Sequence, residues 1–114
     1  LRRISIDQPF NDVIFSERTP RRERDIADHP SLKPQSFLRQ IVRASLPLGQ
    51  GVVLDPFMGS GSTVAAAQAQ NIACIGVERF ADYFELAKNT IPRLAHLSVE
   101  DRRSQLSLLE DSEM

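Results

Sequence analysis

The hydrophobic pattern divides into short continuous apolar runs and stretches with helical spacing. Val52-Val53-Leu54 and Ile72-Ala73-Cys74-Ile75-Gly76-Val77 are runs of the first kind, each closed by an acid, Asp55 or Glu78. Runs of this length, rich in β-branched residues and bounded by turn residues, predict buried strands. Between Gln35 and Leu46 the period changes. Phe37, Leu38, Ile41, Val42 and Ser45 share one face, and Arg39, Gln40 and Arg43 occupy the other, which predicts an amphipathic helix. A second helix is predicted from Ser62 to Gln70, where Ala65, Ala66, Ala67 and Ala69 combine high propensity with close approach to a sheet, and Asn71 closes it. A third starts after Arg79-Phe80-Ala81-Asp82 and runs to about Thr90, with Tyr83, Leu86 and Ala87 inward and Pro92 stopping or kinking it. Its acids, Asp82 and Glu85, lie near the positive end and Lys88 near the negative end, as the helix dipole favours.

The flanks carry weaker patterns. Ile4-Ser5-Ile6 and Asp12-Val13-Ile14-Phe15 are short β-like pieces separated by the turn-rich Gln8-Pro9-Phe10-Asn11. Ser16 to Asp28 has almost no apolar residues and reads as a loop. His29-Pro30-Ser31-Leu32-Lys33-Pro34 follows, and its prolines exclude helix before Gln35. Leu97 to Met114 is polar and acidic, with Leu106, Leu108 and Leu109 scattered in it, and reads as a short helix or a loose tail. Strand, glycine bend, helix, strand, helix is the order of a parallel α/β unit, which binds ligands at the carboxyl ends of its strands.

The bend between the first strand and the alanine helix, Asp55-Pro56-Phe57-Met58-Gly59-Ser60-Gly61-Ser62-Thr63, therefore carries the candidate chemistry. Its two glycines allow a sharp turn and close approach to a ligand. A dinucleotide fingerprint wants a third glycine where Val64 stands, and a phosphate loop wants a lysine that is absent between Lys33 and Lys88. What remains is a pair of strand-end carboxylates, Asp55 and Glu78, 23 residues apart. They suit a ligand with a cationic head and a ribose diol, since a carboxylate accepts from two hydroxyls at once. S-adenosylmethionine has both features and no phosphate. An ordinary α/β turn with an acidic helix cap is the competing reading of these residues alone.

Composition narrows the rest. A chain of 114 residues makes one domain at most. Its net charge of −1 does not mark a nucleic-acid binder, but the charge is uneven. Residues 1–24 hold six arginines against four acids, and residues 98–114 hold two against five. The basic end suits a polyanion or a solvated arm equally. Cys74 is the sole cysteine, so a disulfide framework is excluded and a core thiol in a reducing compartment is expected. No apolar run approaches the ~18 residues of a membrane span, and no signal-peptide core is present. A cytoplasmic protein without membrane contact is the expectation.

The motifs occur in an order that adds more than any one of them. His29–Pro34, a helix, Asp55-Pro56-Phe57-x-Gly59-Ser60-Gly61-Ser62-Thr63, Gly76-Val77-Glu78, then Tyr83 in a helix resembles the cofactor-binding half of DNA amino-methyltransferases. These enzymes methylate the exocyclic amine of adenine or cytosine, typically in restriction–modification systems. His-Pro-x-x-Lys-Pro ahead of the glycine loop is the order of their permuted, beta group, and Asp12–Phe15 is similar to a strand that group places earlier. The resemblance covers residues 12 to 95. It implies a Rossmann-like α/β fold of parallel strands flanked by helices in three layers, present here in part. It implies S-adenosylmethionine as cofactor and DNA as the partner of the complete enzyme. Asp55, Phe57, Gly59 and Gly61 would line the methionine end, with Ser62 and Thr63 at the helix start and Pro56 and Ser60 in the same cofactor-binding loop. Glu78 would hold the ribose, Arg79 and Phe80 would flank the adenine, and His29 and Lys33 would approach from the other side. Tyr83 is read as core, and no residue is assigned to a metal.

The same family uses an Asp/Asn/Ser-Pro-Pro-aromatic loop to hold the target amine and stack on a flipped base. None of the seven prolines here follows another, and Gln8-Pro9-Phe10 has the wrong first residue and one proline too few. No residue is therefore assigned a catalytic role, and the catalytic half would lie before Leu1. Residues 29–97 are expected to form the cofactor-binding domain, with 1–28 a strand and loop remnant and 98–114 an acidic tail. Two parallel strands leave edges open, so association with a second copy or with a chain carrying the catalytic half is expected. A non-catalytic cofactor-binding subunit or truncated remnant, and an unrelated nucleotide-binding α/β module, are the other functions the sequence allows.

Overall fold

The computed structural model describes residues 13–99. Its elements in order are α1 (Arg21–Ile26), α2 (Gln35–Ser45), a single 3-10 turn (Pro47–Gly49), β1 (Val52–Asp55), α3 (Ser62–Gln68), β2 (Ala73–Gly76) and α4 (Ala81–Ala95). The strands pair in parallel, with Val52 opposite Ala73 and Asp55 opposite Gly76. Pairing continues beyond them, because the Val77 N–H donates to the Asp55 carbonyl at 2.9 Å and the Met58 N–H to the Val77 carbonyl at 3.0 Å. Asp55 and Glu78 are thereby held at adjacent strand tips.

The alanine run does what its small side chains permit. Ala65, Ala66 and Ala67 are fully buried, so α3 sits at the centre with neighbours on two sides. On one, Ala66 and Ala67 pack with Leu38 and Val42 of α2 and with Val53 and Cys74 of the sheet. On the other, Ala65 packs with Ala27, Leu32 and Leu94. Val52, Leu54, Ala73 and Ile75, which alternate with Val53 and Cys74, are exposed. Among the described residues the helices thus cover one face of the sheet, and the second covering layer expected from the sequence is not seen. Parallel strands are normally covered on both faces. Cys74 is half-buried, and burial, aided by the Asp55 charge, raises its thiol pKa.

Several elements depart from expectation. The segment from Ser16 to Asp28 contains α1 rather than a continuous loop. Its sequence lacks an apolar stripe, and tertiary contacts supply what propensity does not: Ile26 and Ala27 join the Leu94 cluster, and Glu23 is 1% exposed beneath α2. In α2 the inward face is shifted. Gln35 is fully buried with Leu38 and Val42, whereas Ile41 and Ser45 are exposed. Helix α4 passes through Pro92 to Ala95, because burying Leu94 offsets the backbone hydrogen bond that proline cannot make. Its buried positions are Ala87, Thr90 and Leu94, and Tyr83 is exposed rather than core. Val13–Phe15 form no strand. Ile4–Ile6, Gln8–Phe10 and the tail from residue 100 lie outside the described residues.

Candidate functional site

A cleft of about 380 Å³ opens at the carboxyl ends of β1 and β2, a size in the usual range for small-molecule sites. Its floor is the glycine bend. Gly59 and Gly61 have φ of 55° and 88°, left-handed values that residues with a side chain adopt at a cost. Nine of the thirteen residues picked out by sequence line it: His29, Lys33, Asp55, Phe57, Gly59, Ser62, Thr63, Glu78 and Phe80. They come from the proline-rich connector, the tip of β1, the bend, the start of α3 and the segment after β2.

The two strand-tip carboxylates order the backbone around this cleft. Asp55 Oδ1 accepts the Phe57 N–H at 3.0 Å. Glu78 spans the loops, accepting the Gly59 N–H on Oε2 at 2.9 Å and the Phe80 N–H on Oε1 at 3.0 Å. A carboxylate offers about four acceptor positions, so each oxygen of Glu78 retains capacity toward the cleft. The His29 ring lies against Gly59, where a Cβ would come within 3.0 Å of its Cε1. Its Nδ1 accepts the Ser31 N–H at 3.0 Å, which makes Nε2 the protonated nitrogen of the neutral ring. That Nε2 is buried without a hydrogen-bond partner among the described residues.

Aromatic rings frame the mouth. Phe57 is 88% exposed and Phe80 57% exposed, so neither is core packing. Tyr83 meets His29 edge-on with ring centroids 4.4 Å apart and Phe80 at 6.0 Å, and the Arg79 guanidinium lies 5.6 Å from the Phe80 ring centre. Pro56, Ser60, Gly61 and Arg79 do not line the cleft. Ser60 and Gly61 are buried behind its floor, Gly61 against Ile91 and Ala87 of α4.

Ser31 and Met58 line the cleft without having been singled out, and Tyr83, which the sequence reads as core, lines it too. Tyr83 had a legible signal, since a helix beginning at Ala81 beside the Glu78 strand end presents its first turn to that end. Ser31 and Met58 had none beyond their place inside the two motifs.

Behind the floor lies a buried polar group that the hydrophobic pattern does not reveal. Helix α2 begins after Pro34, which offers no side-chain cap; Glu23 of α1 serves instead, its Oε1 accepting the Gln35 N–H at 2.7 Å. Burial raises the Glu23 carboxyl pKa, opposed by that hydrogen bond and by Arg22 and Arg39. Burial likewise lowers the Arg39 guanidinium pKa, opposed by Glu23.

Comparison with known proteins assigns the chain. The pattern of a family described as DNA methylase, of the N6/N4 type, matches residues 4–89. The chain belongs to this DNA methylase family. It is 36% identical over 74 residues to the DNA adenine methyltransferase YhdJ of Escherichia coli K12, covering 65% of this chain and 25% of that protein. The Type II methyltransferase M2.DpnII of Streptococcus pneumoniae is 29% identical over 91 residues, 80% of this chain and 34% of the relative. The Type II methyltransferase M.ScaI of Streptomyces caespitosus is 37% identical over 59 residues, 52% of this chain and 19% of its own length. The matched stretch is thus a fifth to a third of each of these DNA methylases. No solved structure matches the chain. Members of a DNA methylase family act with a methyl donor, and the described residues include no helix long and apolar enough to cross a membrane.

Proposed function

We propose that this chain is the S-adenosylmethionine-binding part of a DNA methyltransferase acting on the exocyclic amine of adenine or cytosine. The observation that carries the reading is the convergence of Asp55, Glu78, His29 and Lys33 on one cleft lined by Gly59. The residues fit the cofactor chemically. Glu78 accepts from both ribose hydroxyls with the lone pairs its backbone bonds leave. Asp55 faces the cationic end. Lys33 meets the methionine carboxylate, a charge-assisted pairing, and His29 Nε2–H gains an acceptor. Phe80, with Arg79 on its ring, packs on the adenine, and Phe57 shields the sulfonium from water. Bound there, S-adenosylmethionine supplies an electrophilic methyl group. This chain's own residues bind and orient it and exclude solvent. Pro56, Ser60, Gly61, Ser62 and Thr63 shape the bend.

Transfer to DNA needs the Pro-Pro-aromatic loop, which this sequence does not contain, so the catalytic residues are assigned to another polypeptide segment. The cofactor-binding unit is taken as residues 29–97 within a Rossmann-like arrangement, in the cytoplasm. Isothermal titration calorimetry on the 114-residue chain should show S-adenosylmethionine binding, with NAD and ATP inert; preference for either nucleotide would replace this reading with a nucleotide-binding module. Labelled methyl transfer to unmethylated DNA should be undetectable with this chain alone, and transfer would overturn the assignment of catalysis elsewhere.

The exposed sheet face at Val52, Leu54 and Ile75 favours association, with a second copy or with a chain carrying the catalytic residues. Sedimentation velocity at rising concentration should show species above the 12.8 kDa monomer. A monomer at every concentration would remove self-association.

A further inference from the structure

The glycine bend does not choose its own shape. Glycine takes positive and negative φ with similar ease, so Gly59-Ser60-Gly61 is compatible with several turns. Two fully buried polar side chains from different helices select one. Thr90 of α4 donates from Oγ1 to the Ser60 carbonyl at 2.6 Å. Its oxygen also lies 2.8 Å from the Leu86 carbonyl of its own helix, the local contact common for helical threonine. Gln35 of α2 donates from Nε2 to the Ser62 carbonyl at 2.8 Å. The orientation of that amide is itself set, because Arg39 Nε donates to Gln35 Oε1 at 3.3 Å and Arg39 is anchored on the Leu94 carbonyl at 3.0 Å.

We propose that Thr90 and Gln35 are positioning residues for the cofactor loop, holding the Ser60 and Ser62 carbonyls turned into the protein. A trans peptide puts its carbonyl and N–H on opposite sides. Drawing the Ser60 carbonyl toward α4 directs the Gly61 N–H to the Met58 carbonyl, where it bonds at 2.8 Å, and closes the turn that places Gly59 on Glu78 Oε2. Neither residue lines the cleft. Their effect on ligand passes through the backbone, and this inference rests on the cofactor assignment made above.

The test compares Thr90→Val, which keeps the shape and removes the hydroxyl, with Thr90→Ser, which retains it, and with Gln35→Met. Circular dichroism first establishes which variants fold. S-adenosylmethionine affinity is then measured by calorimetry, and exchange of the Gly61 and Ile75 amides by NMR. Thr90→Val should bind at least tenfold more weakly, with Gly61 exchange at least tenfold faster and Ile75 unchanged; Thr90→Ser should return within threefold of wild type. Gln35→Met should weaken binding in the same sense, and it carries the test if Thr90→Val does not fold. A folded Thr90→Val or Gln35→Met that binds like a competent wild type overturns the proposal. Should wild type not bind the cofactor, the cofactor assignment fails. Gly61 exchange alone then decides the positioning role, and unchanged exchange in Thr90→Val overturns it.

Discussion

Replacing Glu78 with alanine is expected to weaken S-adenosylmethionine binding about 100-fold in calorimetric titration. The estimate takes two hydrogen bonds from the ribose hydroxyls to a charged acceptor at ~1.5 kcal/mol each, or about 3 kcal/mol. The same side chain anchors the Gly59 and Phe80 amides, so its loss also releases the bend and the aromatic wall. Glu78→Gln disturbs both roles more mildly, since its amide nitrogen must replace one of the two oxygens that accept the Gly59 and Phe80 N–H groups. It keeps one acceptor oxygen and the packing, but removes the charge and the second acceptor, so an intermediate loss of about tenfold is expected. Asp55→Ala should cost less than Glu78→Ala, since Asp55 holds a single loop amide. Unchanged affinity in folded Glu78→Ala would remove the ribose assignment.

The cleft was readable in advance because its chemistry is carried by local motifs. An acid closing each apolar run, a bend whose glycines fall at Gly59 and Gly61, and prolines either side of Lys33 are all consequences of backbone requirements expressed within a few residues. Parallel pairing of the two runs then brings their ends together without further instruction. Ser60 and Gly61 show the limit of such reading. They belong to the motif, yet the structure turns them to α4 rather than to the cleft. Motif membership does not say which side of a bend a residue faces.

What was missed depends on contacts distant in sequence. Helix α1 offers no apolar periodicity, and Glu23 lies in a segment whose sequence reads as a loop. Its burial makes sense only once Gln35, 12 residues later, needs a cap for its N–H. Gln35 broke the amphipathic pattern of α2 for the same reason, its amide being required by the Ser62 carbonyl. Pro92 reads locally as a stop or a kink, whereas the cluster around Leu94 carries α4 onward through it. Buried polar groups erase the hydrophobic signal at the positions where tertiary structure depends on them.

Gly61→Ala is expected to lower folding stability by about 3 kcal/mol, combining ~1 kcal/mol for an alanine at left-handed φ with ~2 kcal/mol of overpacking. An added Cβ would meet Ile91 Cγ1, with Cδ1 at 2.7 Å and the Ala87 Cβ at 3.4 Å. Ile91 can shift its terminal methyl, but Cγ1 moves only with the whole side chain, which packs on the Leu94 cluster. Gly49→Ala supplies the comparison. Gly49 has φ of 69° and no atom within 4 Å of an added Cβ, so it should lose only the backbone contribution of about 1 kcal/mol. Urea unfolding of the two variants beside wild type measures the difference. Equal losses would mean that α4 yields to the added carbon. The close approach of the bend to Ile91 would then be incidental, and Gly61 would be required for its backbone angle alone.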